Sequence, residues 1–192
     1  MIRYPAVILM LAMPLLSGCF FETYHETQTF DLEQARPCCP AKTVIEVKDF
    51  ENLSGAGQKM RYRAEQYRIV IDGYNKWVQA PDIMISRYFM TAFSQSGVNM
   101  LDERSYILSG TLNSFEINLT TKTVYIQITC QLKERKTGEI KLRKELSVSA
   151  AFKQDSPVEF AEAASKAVRE LTEKLSAEIA AVTASRPAAG KN

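Results

Sequence analysis

The stretch VYIQITCQLK, residues 124–133, decides the fold. Its apolar residues alternate strictly with polar ones, which is the period of a strand with one buried face and one solvated face. The apolar set is Val124, Ile126, Ile128, Cys130 and Leu132. After a Lys-Thr-Gly turn signal at residues 136–138, the alternation resumes with Ile140, Leu142, Leu146, Val148, Ala150 and Phe152. The two stretches predict an antiparallel hairpin.

A long amphipathic helix is predicted directly after this hairpin. Residues 156–159, Ser-Pro-Val-Glu, have the pattern of a capping box with proline at the first helical position, where no N–H is needed. Apolar residues then recur at three- and four-residue steps over about six turns. They are Phe160, Ala164, Ala167, Val168, Leu171, Leu175, Ile179 and Val182. Because the stripe is not a strict heptad, a helix packed on a sheet is favoured over an exposed coiled coil.

Shorter strands are predicted upstream of the hairpin. Residues 43–47, 61–63 and 67–71 have the composition of strands. Asp72-Gly73 follows the third of these and is a strong turn signal. The amino-terminal half of the domain therefore contributes several short strands to the sheet.

A second helix and a bulged strand complete the predicted fold. Pro81 opens a helix whose apolar residues are Ile83, Met84, Tyr88, Phe89, Ala92 and Phe93, and Gly97 fits its end. In the next strand the apolar face changes parity between Leu112 and Phe115, which predicts a β-bulge. The order of elements predicts an α+β fold: a two-layer sandwich with a mostly antiparallel mixed sheet and two helices on one face.

The amino end has the layout of an export signal. Arg3 supplies a positive charge, an apolar run follows to Leu16, and the small residues Ser17 and Gly18 come next. The run is about thirteen residues long, whereas a helix that spans a bilayer needs roughly 20. A permanent transmembrane anchor is therefore the weaker interpretation.

Leu16-Ser17-Gly18-Cys19 resembles the lipobox of bacterial lipoproteins, in which the cysteine becomes the lipid-bearing amino terminus. Two or three acyl chains make a stable anchor, because each buried methylene contributes about 0.8 kcal/mol. The alternative is an ordinary signal peptide followed by a coincidental cysteine. The residue after Cys19 is Phe20 and not aspartate, so the resemblance implies sorting to the outer membrane, on its periplasmic face.

The sequence divides into four parts. Residues 1–18 are the predicted signal peptide, 19–41 a lipidated amino terminus and tether, 42–184 the folded α+β domain, and 185–192 a disordered tail. An apolar content of 46% and a charged content of 24% are ordinary for a globular protein. With 24 basic and 22 acidic side chains, the chain lacks the basic footprint of a nucleic-acid binder.

The order of elements resembles a known family. Residues 67–71, Tyr-Arg-Ile-Val-Ile, are followed by Trp77, by Pro81 with its amphipathic helix, and by the strand at residues 112–115, Leu-Asn-Ser-Phe. This order, with the lipobox, is similar to that of the ABC-type transport auxiliary lipoproteins, which include the paraquat-inducible protein C group. The resemblance covers roughly residues 43–182 and implies a fold like the amino-terminal domain of TolB.

The resemblance implies a transport role without catalysis. Members of the family work with an ABC permease and ATPase and with a mammalian-cell-entry (MCE) protein, on a route for phospholipid or other hydrophobic cargo. The chain would dock onto that assembly from the outer membrane, where its lipid anchor holds it, and it could form an oligomer. Two alternatives stay open: a lipoprotein activator of a cell-wall synthase, which shares the TolB-like fold, and a periplasmic lipid-carrying domain with its own cavity.

No set of residues predicts catalysis, a cofactor or a metal. His25 is the one histidine and lies in the predicted tether, which excludes a Ser-His-Asp triad in the domain. Gly55 and Gly57 lack the third glycine of a dinucleotide loop, because Met60 stands there. A zinc site needs about four ligands, which His25 and adjacent thiols supply poorly. The chain is therefore expected not to be an enzyme.

The cysteines that remain after lipidation offer a candidate disulfide. A periplasmic location would permit a bond from Cys38 or Cys39 to Cys130, which would fix the tether onto the sheet. Cys130 lies on the apolar face of its strand, so the alternative is a small buried side chain with a free thiol.

Two surface features are candidates for contact with a partner. Tyr67, Tyr74 and Trp77 cluster near the predicted turn and would suit a protein interface if exposed, the alternative being that they belong to the core. Basic residues outnumber acidic ones in the hairpin at residues 133–144, which fits either a solvated strand face or contact with lipid head groups.

Overall fold

The computed structural model describes residues 25–38, 43–94 and 105–184. Within these residues the chain forms eight strands and two helices. In chain order they are β1 (Gln28–Phe30), β2 (Val44–Val47), β3 (Glu51–Asn52), β4 (Lys59–Arg63), β5 (Ile69–Trp77), α1 (Pro81–Ala92), β6 (Ser105–Asn118), β7 (Thr123–Glu134), β8 (Ile140–Ala151) and α2 (Pro157–Ala184).

All the described strands belong to one open mixed sheet. The main path runs β1-β5-β4-β6-β7-β8. The long pairings β6–β7 and β7–β8 are antiparallel, and the second of them is the predicted hairpin. The other edge of β6 is shared by β2, β3 and β4, which pair with successive parts of it in parallel. The predicted α+β fold with a mixed sheet is thereby confirmed.

The core lies between the sheet and the two helices. The five apolar residues of β7 that the alternation selects are all buried, at 1% exposure or less. Helix α2 packs across β7 and β8, and α1 packs against β2, β3 and β6. Leu171, Leu175 and Ile179 of α2 are fully buried, and each stabilises the fold by about 1.5–3 kcal/mol. The opposite face of β6, β7 and β8 is polar and open.

The predicted bulge in the long strand is confirmed. The pairing of β6 with β7 shifts register between Leu112 and Ser114, so that Asn113 is the extra residue. The bulge lets Leu112 and Phe115 face the same core although they differ in parity.

The turn signal at Asp72-Gly73 does not end the strand. Both residues lie inside β5, whose pairing with β4 resumes when Lys76 meets Lys59. The Asp72 carboxylate accepts hydrogen bonds from the backbone N–H of Tyr74, at 2.8 Å, and of Asn75, at 2.9 Å. The chain therefore makes a local turn that forms a bulge, and the strand continues beyond it. Asp-Gly gives the same sequence signal in a hairpin turn and in such a bulge, because in both the aspartate side chain bonds nearby backbone N–H groups.

Two predicted core residues lie at the surface instead. Ile140 is exposed because β8 is bulged at Lys141, which turns Ile140 to the outer face opposite Lys133. Ile83 is exposed and Ile85 is buried in its place, since α1 presents a slightly different face to the core. The predicted helix end at Gly97 lies outside the described residues.

The predicted capping box of α2 is half formed. The Ser156 hydroxyl accepts a hydrogen bond from the Glu159 N–H at 3.3 Å. The Glu159 carboxylate accepts one from the Lys153 N–H at 3.0 Å instead of returning to Ser156. The helix is therefore capped, and its cap also fixes the end of the preceding loop.

Part of the predicted tether is packed onto the domain. Strand β1 pairs in parallel with the end of β5, and residues 31–38, here called the strap, then cross the helix layer. Leu32 is buried in the core. The Glu33 N–H donates to the Ser165 hydroxyl at 2.9 Å, and the Glu33 carboxylate pairs with Arg169 of α2. Residues 28–38 therefore belong to the fold, which corrects the assignment of 19–41 to a tether.

The far end of the strap joins both helices. The Cys38 N–H donates to the Ala92 carbonyl at the end of α1, at 2.8 Å. The Ser176 hydroxyl of α2 donates to the Cys38 carbonyl at 2.7 Å. Nearer β1, Asp31 pairs with Arg87 of α1. The strap is thus bonded to α1 and α2 at both of its ends.

Replacing Leu32 with alanine tests whether the strap contributes to stability. We expect the free energy of unfolding to fall by about 2 kcal/mol, because a buried leucine is lost from the core. Urea unfolding measures this as a lower midpoint at an unchanged slope. Thr27→Ala, an exposed position before β1, is the matched control. An equal midpoint for Leu32→Ala and Thr27→Ala would mean that residues 28–38 are a free tether.

Candidate functional site

The structure separates the three aromatic residues that the sequence groups as a partner contact. Tyr67 is 88% exposed and Tyr74 is 50% exposed, but Trp77 is only 2% exposed. The Trp77 ring packs edge to face against Phe115, with 5.4 Å between ring centroids. Trp77 is therefore a core residue, and the predicted contact is reduced to the two tyrosines.

Two other apolar side chains are exposed and line one hollow. Leu53, in the loop after β3, is 60% exposed, and Ile71 of β5 is 59% exposed. Leu53, Tyr67, Ile71 and Tyr74 are here called the apolar edge. Ile71 and Tyr74 lie in β5, Tyr67 lies two residues before it, and Leu53 lines the same hollow as Ile71. Exposed apolar residues grouped along one strand favour a contact surface.

An open groove of about 680 Å³ runs along this edge on the outer face of the sheet. Two apolar side chains, two cations and loop backbone line it: Leu53, Ser54, Gly55, Gly57, Gln58, Lys59, Arg61 and Ile71. A smaller hollow of about 240 Å³ shares Ser54 and Arg61 with it and continues towards Glu116. The groove therefore combines apolar side chains with positively charged ones.

The loop that presents Leu53 is fixed by the Asn52 side chain. The Asn52 amide donates to the Ala56 carbonyl at 2.8 Å and to the Asp82 carboxylate at 2.7 Å. Its carbonyl oxygen accepts from the Ser54 N–H at 3.1 Å and from the Ser54 hydroxyl at 2.7 Å. Gly55 follows with φ of 65°, a left-handed conformation that favours glycine. Leu53 is thus held outward by a preorganised loop.

The charged side chains at the groove differ in whether they are paired with an opposite charge. Arg63 and Glu116 form a bidentate ion pair, with both N···O distances at 2.6 Å. Arg61 instead donates to the carbonyl oxygens of Ser54 and Gly55. Among the described residues, neither Arg61 nor Lys59 has a carboxylate within ion-pair distance. The groove therefore presents two cations that no carboxylate of the described residues pairs.

Asp72 fixes the bulge that carries Tyr74. The Tyr62 hydroxyl donates to its carboxylate at 2.6 Å and the Asn75 amide at 2.8 Å. Burial raises the pKa of Asp72, but these bonds and those from two backbone N–H groups outweigh it and lower the pKa overall. Burial, and then the bond to Asp72, raise the pKa of Tyr62, so its hydroxyl stays protonated. The pair is a structural clamp.

Replacing Asp72 with asparagine tests this clamp. Its lowered pKa means that Asp72 adds stability above its unfolded pKa, near 3.9, and that this contribution is lost as the pH falls through the folded value. At neutral pH we expect Asp72→Asn to cost about 1 kcal/mol, and the difference from wild type to shrink below about pH 4. Urea unfolding at several pH values measures it, with exposed Asp49→Asn as the control. A pH-independent difference would contradict the assignment.

The cysteines in the described residues carry free thiols. Burial raises the pKa of Cys130 to about 11, so this thiol is protonated and unreactive at neutral pH. Burial also raises the pKa of Cys38, at the end of the strap. The predicted bond between these two is not formed in the structure. Cys39 lies outside the described residues, so its bond to Cys130 stays a prediction, which counting thiols in the unfolded, unreduced protein tests.

The remaining predicted features either are explained by their contacts in the structure or lie outside the described residues. Cys19 lies outside the described residues. The His25 ring packs on Tyr74, with 4.7 Å between ring centroids. In the described ranges, no group of three His, Cys, Asp or Glu side chains could hold a metal ion, and no helix is long and apolar enough to cross a membrane. The hairpin bases are partly paired, as Lys144 is with Glu178.

The sequence indicated the two tyrosines but not the groove beside them. Residues 53–57, Leu-Ser-Gly-Ala-Gly, predict only a loop. A leucine beside glycines is a weak signal for a binding surface, because the leucine is held in place only where a bond to a distant residue fixes the loop. Here that bond joins Asn52 to Asp82, thirty residues apart.

Comparison with known proteins identifies the fold. No protein-family model matches the sequence, and no curated protein matches it significantly. A crystal structure of a Xanthomonas campestris protein of the family DUF330 superimposes with a TM-score of 0.65 at 13% identity, covering 81% of this chain and 95% of that one. A second, described as an uncharacterized protein, gives 0.64 at 14% identity, covering 81% and 99%.

A third structure is less similar. It is a Caulobacter crescentus protein described as a candidate lipoprotein, with a TM-score of 0.41 at 14% identity, covering 55% of this chain and 84% of that one. The first two structures have scores high enough to establish a shared fold, and at their identities they establish the fold alone. The class that they define is an α+β domain with an open mixed sheet.

Proposed function

We propose that this chain is an outer-membrane lipoprotein that docks onto an ABC/MCE-type system for intermembrane transport of phospholipid or other hydrophobic cargo. The observation that carries the proposal is the lipobox-like Leu16-Ser17-Gly18-Cys19 at the end of a short apolar run, joined to a compact α+β domain. Lipid at Cys19 would place that domain on the periplasmic face of the outer membrane. The sequence order from Tyr67 to Pro81 supports the transport family.

The chemistry of the groove supports a role by contact. Several ionisable groups at or near the groove hold the structure in place: Arg61 bonds loop carbonyls, Asp72 clamps the β5 bulge, and Glu116 pairs with Arg63. What the surface offers to other molecules is apolar side chains with nearby positive charge. Such a surface supports a role by contact, with a protein or with lipid head groups.

The shape of the groove favours docking over lipid carriage. A carrier must enclose the acyl chains of its cargo in an apolar cavity, since exposed chains would lose the hydrophobic stabilisation. The groove of about 680 Å³ is instead open to solvent and lined in part by Lys59, Arg61 and Gln58. Mass spectrometry of lipids that copurify with the chain separates the two roles: stoichiometric lipid would favour carriage.

Two measurements test the proposal. Radioactive palmitate should label the wild-type chain and not Cys19→Ala, and equal labelling would exclude the lipoprotein assignment. Crosslinking in cells followed by purification of the full-length chain should recover an MCE-domain protein with its permease and ATPase. Recovery of a cell-wall synthase in their place would favour the rival role. Cys19→Ala is the matched control, because it leaves every described residue unchanged.

A further inference from the structure

We propose that the apolar edge rests on the lipid bilayer that holds the acyl chains of Cys19, and that Lys59 and Arg61 bind anionic lipid head groups there. The inference rests on lipidation of Cys19 in the proposed function. It assigns the two exposed tyrosines to a membrane contact, so that the protein partner uses another face.

The chain length between the anchor and the domain supports this orientation. Cys19 precedes His25 by six residues, and a fully extended chain of that length spans about 20 Å. The His25 ring packs on Tyr74, and β1 then fixes the chain to the end of β5. Tyr74 is therefore kept close to the lipid anchor whichever path the intervening residues take.

The chemistry of the edge matches a bilayer surface. Tyrosine suits the boundary between head groups and acyl chains, because its ring is apolar and its hydroxyl is polar. Leu53 and Ile71 can bury their side chains a few ångströms deeper. Lys59 and Arg61 line the same groove as Leu53 and Ile71, without a carboxylate partner among the described residues. Positive side chains at this depth attract anionic lipids.

The edge is held in shape before it meets lipid. Asn52 fixes the loop under Leu53, and Asp72 fixes the bulge under Tyr74. Contact with a bilayer would therefore require little ordering of the chain, and ordering is a main cost of weak association. The edge differs in this from Ile140 and Val158, which are similarly exposed but lie at a hairpin end and in the first turn of α2.

Footprinting of the lipidated full chain tests the orientation. The protein is reconstituted in vesicles of phosphatidylcholine with phosphatidylglycerol and labelled with a carbene reagent, and the mature Cys19→Ala chain in solution is the reference. We expect Leu53, Tyr67 and Ile71 to be labelled about threefold less on vesicles, because lipid covers their side chains. Ile140 and Val158 should be labelled equally in both samples. Equal labelling of the edge, or protection of Ile140 and Val158 instead, would overturn the inference.

Vesicle flotation of variants tests the energetic contribution of the edge. The mature Cys19→Ala chain should bind the same vesicles weakly and lose binding in high salt. Leu53→Asp with Ile71→Asp should reduce that binding about fivefold or more, whereas Ile140→Asp with Val158→Asp should leave it unchanged. Equal binding by the two pairs would contradict the inference. If the urea midpoint of the first pair falls, Leu53→Gln with Ile71→Gln replaces it.

These results also separate the inference from the function on which it rests. Absence of palmitate from the wild-type chain would remove the lipoprotein assignment itself. Palmitate at Cys19 with an unprotected edge would leave the lipoprotein assignment standing and remove only the orientation.

Discussion

Replacing Gly110 with alanine is expected to destabilise the domain by about 3 kcal/mol or more, a large share of the roughly 5–15 kcal/mol by which an ordinary domain is stable. A Cβ at this position of β6 would lie 2.3 Å from the Thr129 carbonyl oxygen and 2.7 Å from the Phe50 ring. The first of these is backbone of the neighbouring strand, so relief requires breaking the β6–β7 pairing. Gly110 is therefore required by the close approach of the Thr129 carbonyl and the Phe50 ring.

Urea unfolding, or the yield of soluble protein where no folded form is recovered, measures this effect. Gly73→Ala is the matched control, because a Cβ there meets no atom within 4 Å and the position also lies in a strand. We expect Gly73→Ala to change the free energy of unfolding by less than about 1 kcal/mol. A similar loss in the two variants would show that backbone conformation, and not the contact with Thr129, limits position 110.

Replacing Trp77 with alanine is expected to cost about 3–5 kcal/mol, because a fully buried indole is removed from its contact with Phe115. Tyr67→Ala should cost less than about 0.5 kcal/mol, since Tyr67 is almost fully exposed. Far-ultraviolet circular dichroism under urea compares the two variants, since Trp77 is the one tryptophan in the chain and its removal eliminates the fluorescence signal. Equal stability of the two variants would return Trp77 to the surface contact that the sequence predicts.

The elements predicted best are those with a long period of their own. Strand β7 alternates over its whole length and α2 repeats its apolar stripe over many turns, so local pattern and burial agree. The bulge near Asn113 was also readable, because an unbroken strand cannot place Leu112 and Phe115 on one face. In each case one element carries enough residues to average out exceptions.

What the sequence misses depends on contacts with distant elements. The strap contacts the core through Leu32 and Cys38, at spacings set by the helices that it crosses. Ile140 follows the period of β8, yet a bulge at Lys141 moves it outward. The groove needs the bond between Asn52 and Asp82. None of these three contacts leaves a periodic pattern in the local sequence. The sequence therefore predicts a tether for the strap, a core position for Ile140 and a plain loop for the groove.

The strap also determines how far from the membrane the domain could move if Cys19 carries lipid. A free tether of residues 20–41 could extend about 75 Å, whereas the residues before His25 extend only about 20 Å. The volume open to the domain scales with the cube of this distance, so docking the strap shrinks it roughly fiftyfold. With lipid on Cys19, the domain would stay beside one membrane and could not move across to another. Under the proposed function, a partner at the other membrane would therefore have to cross the intervening space itself.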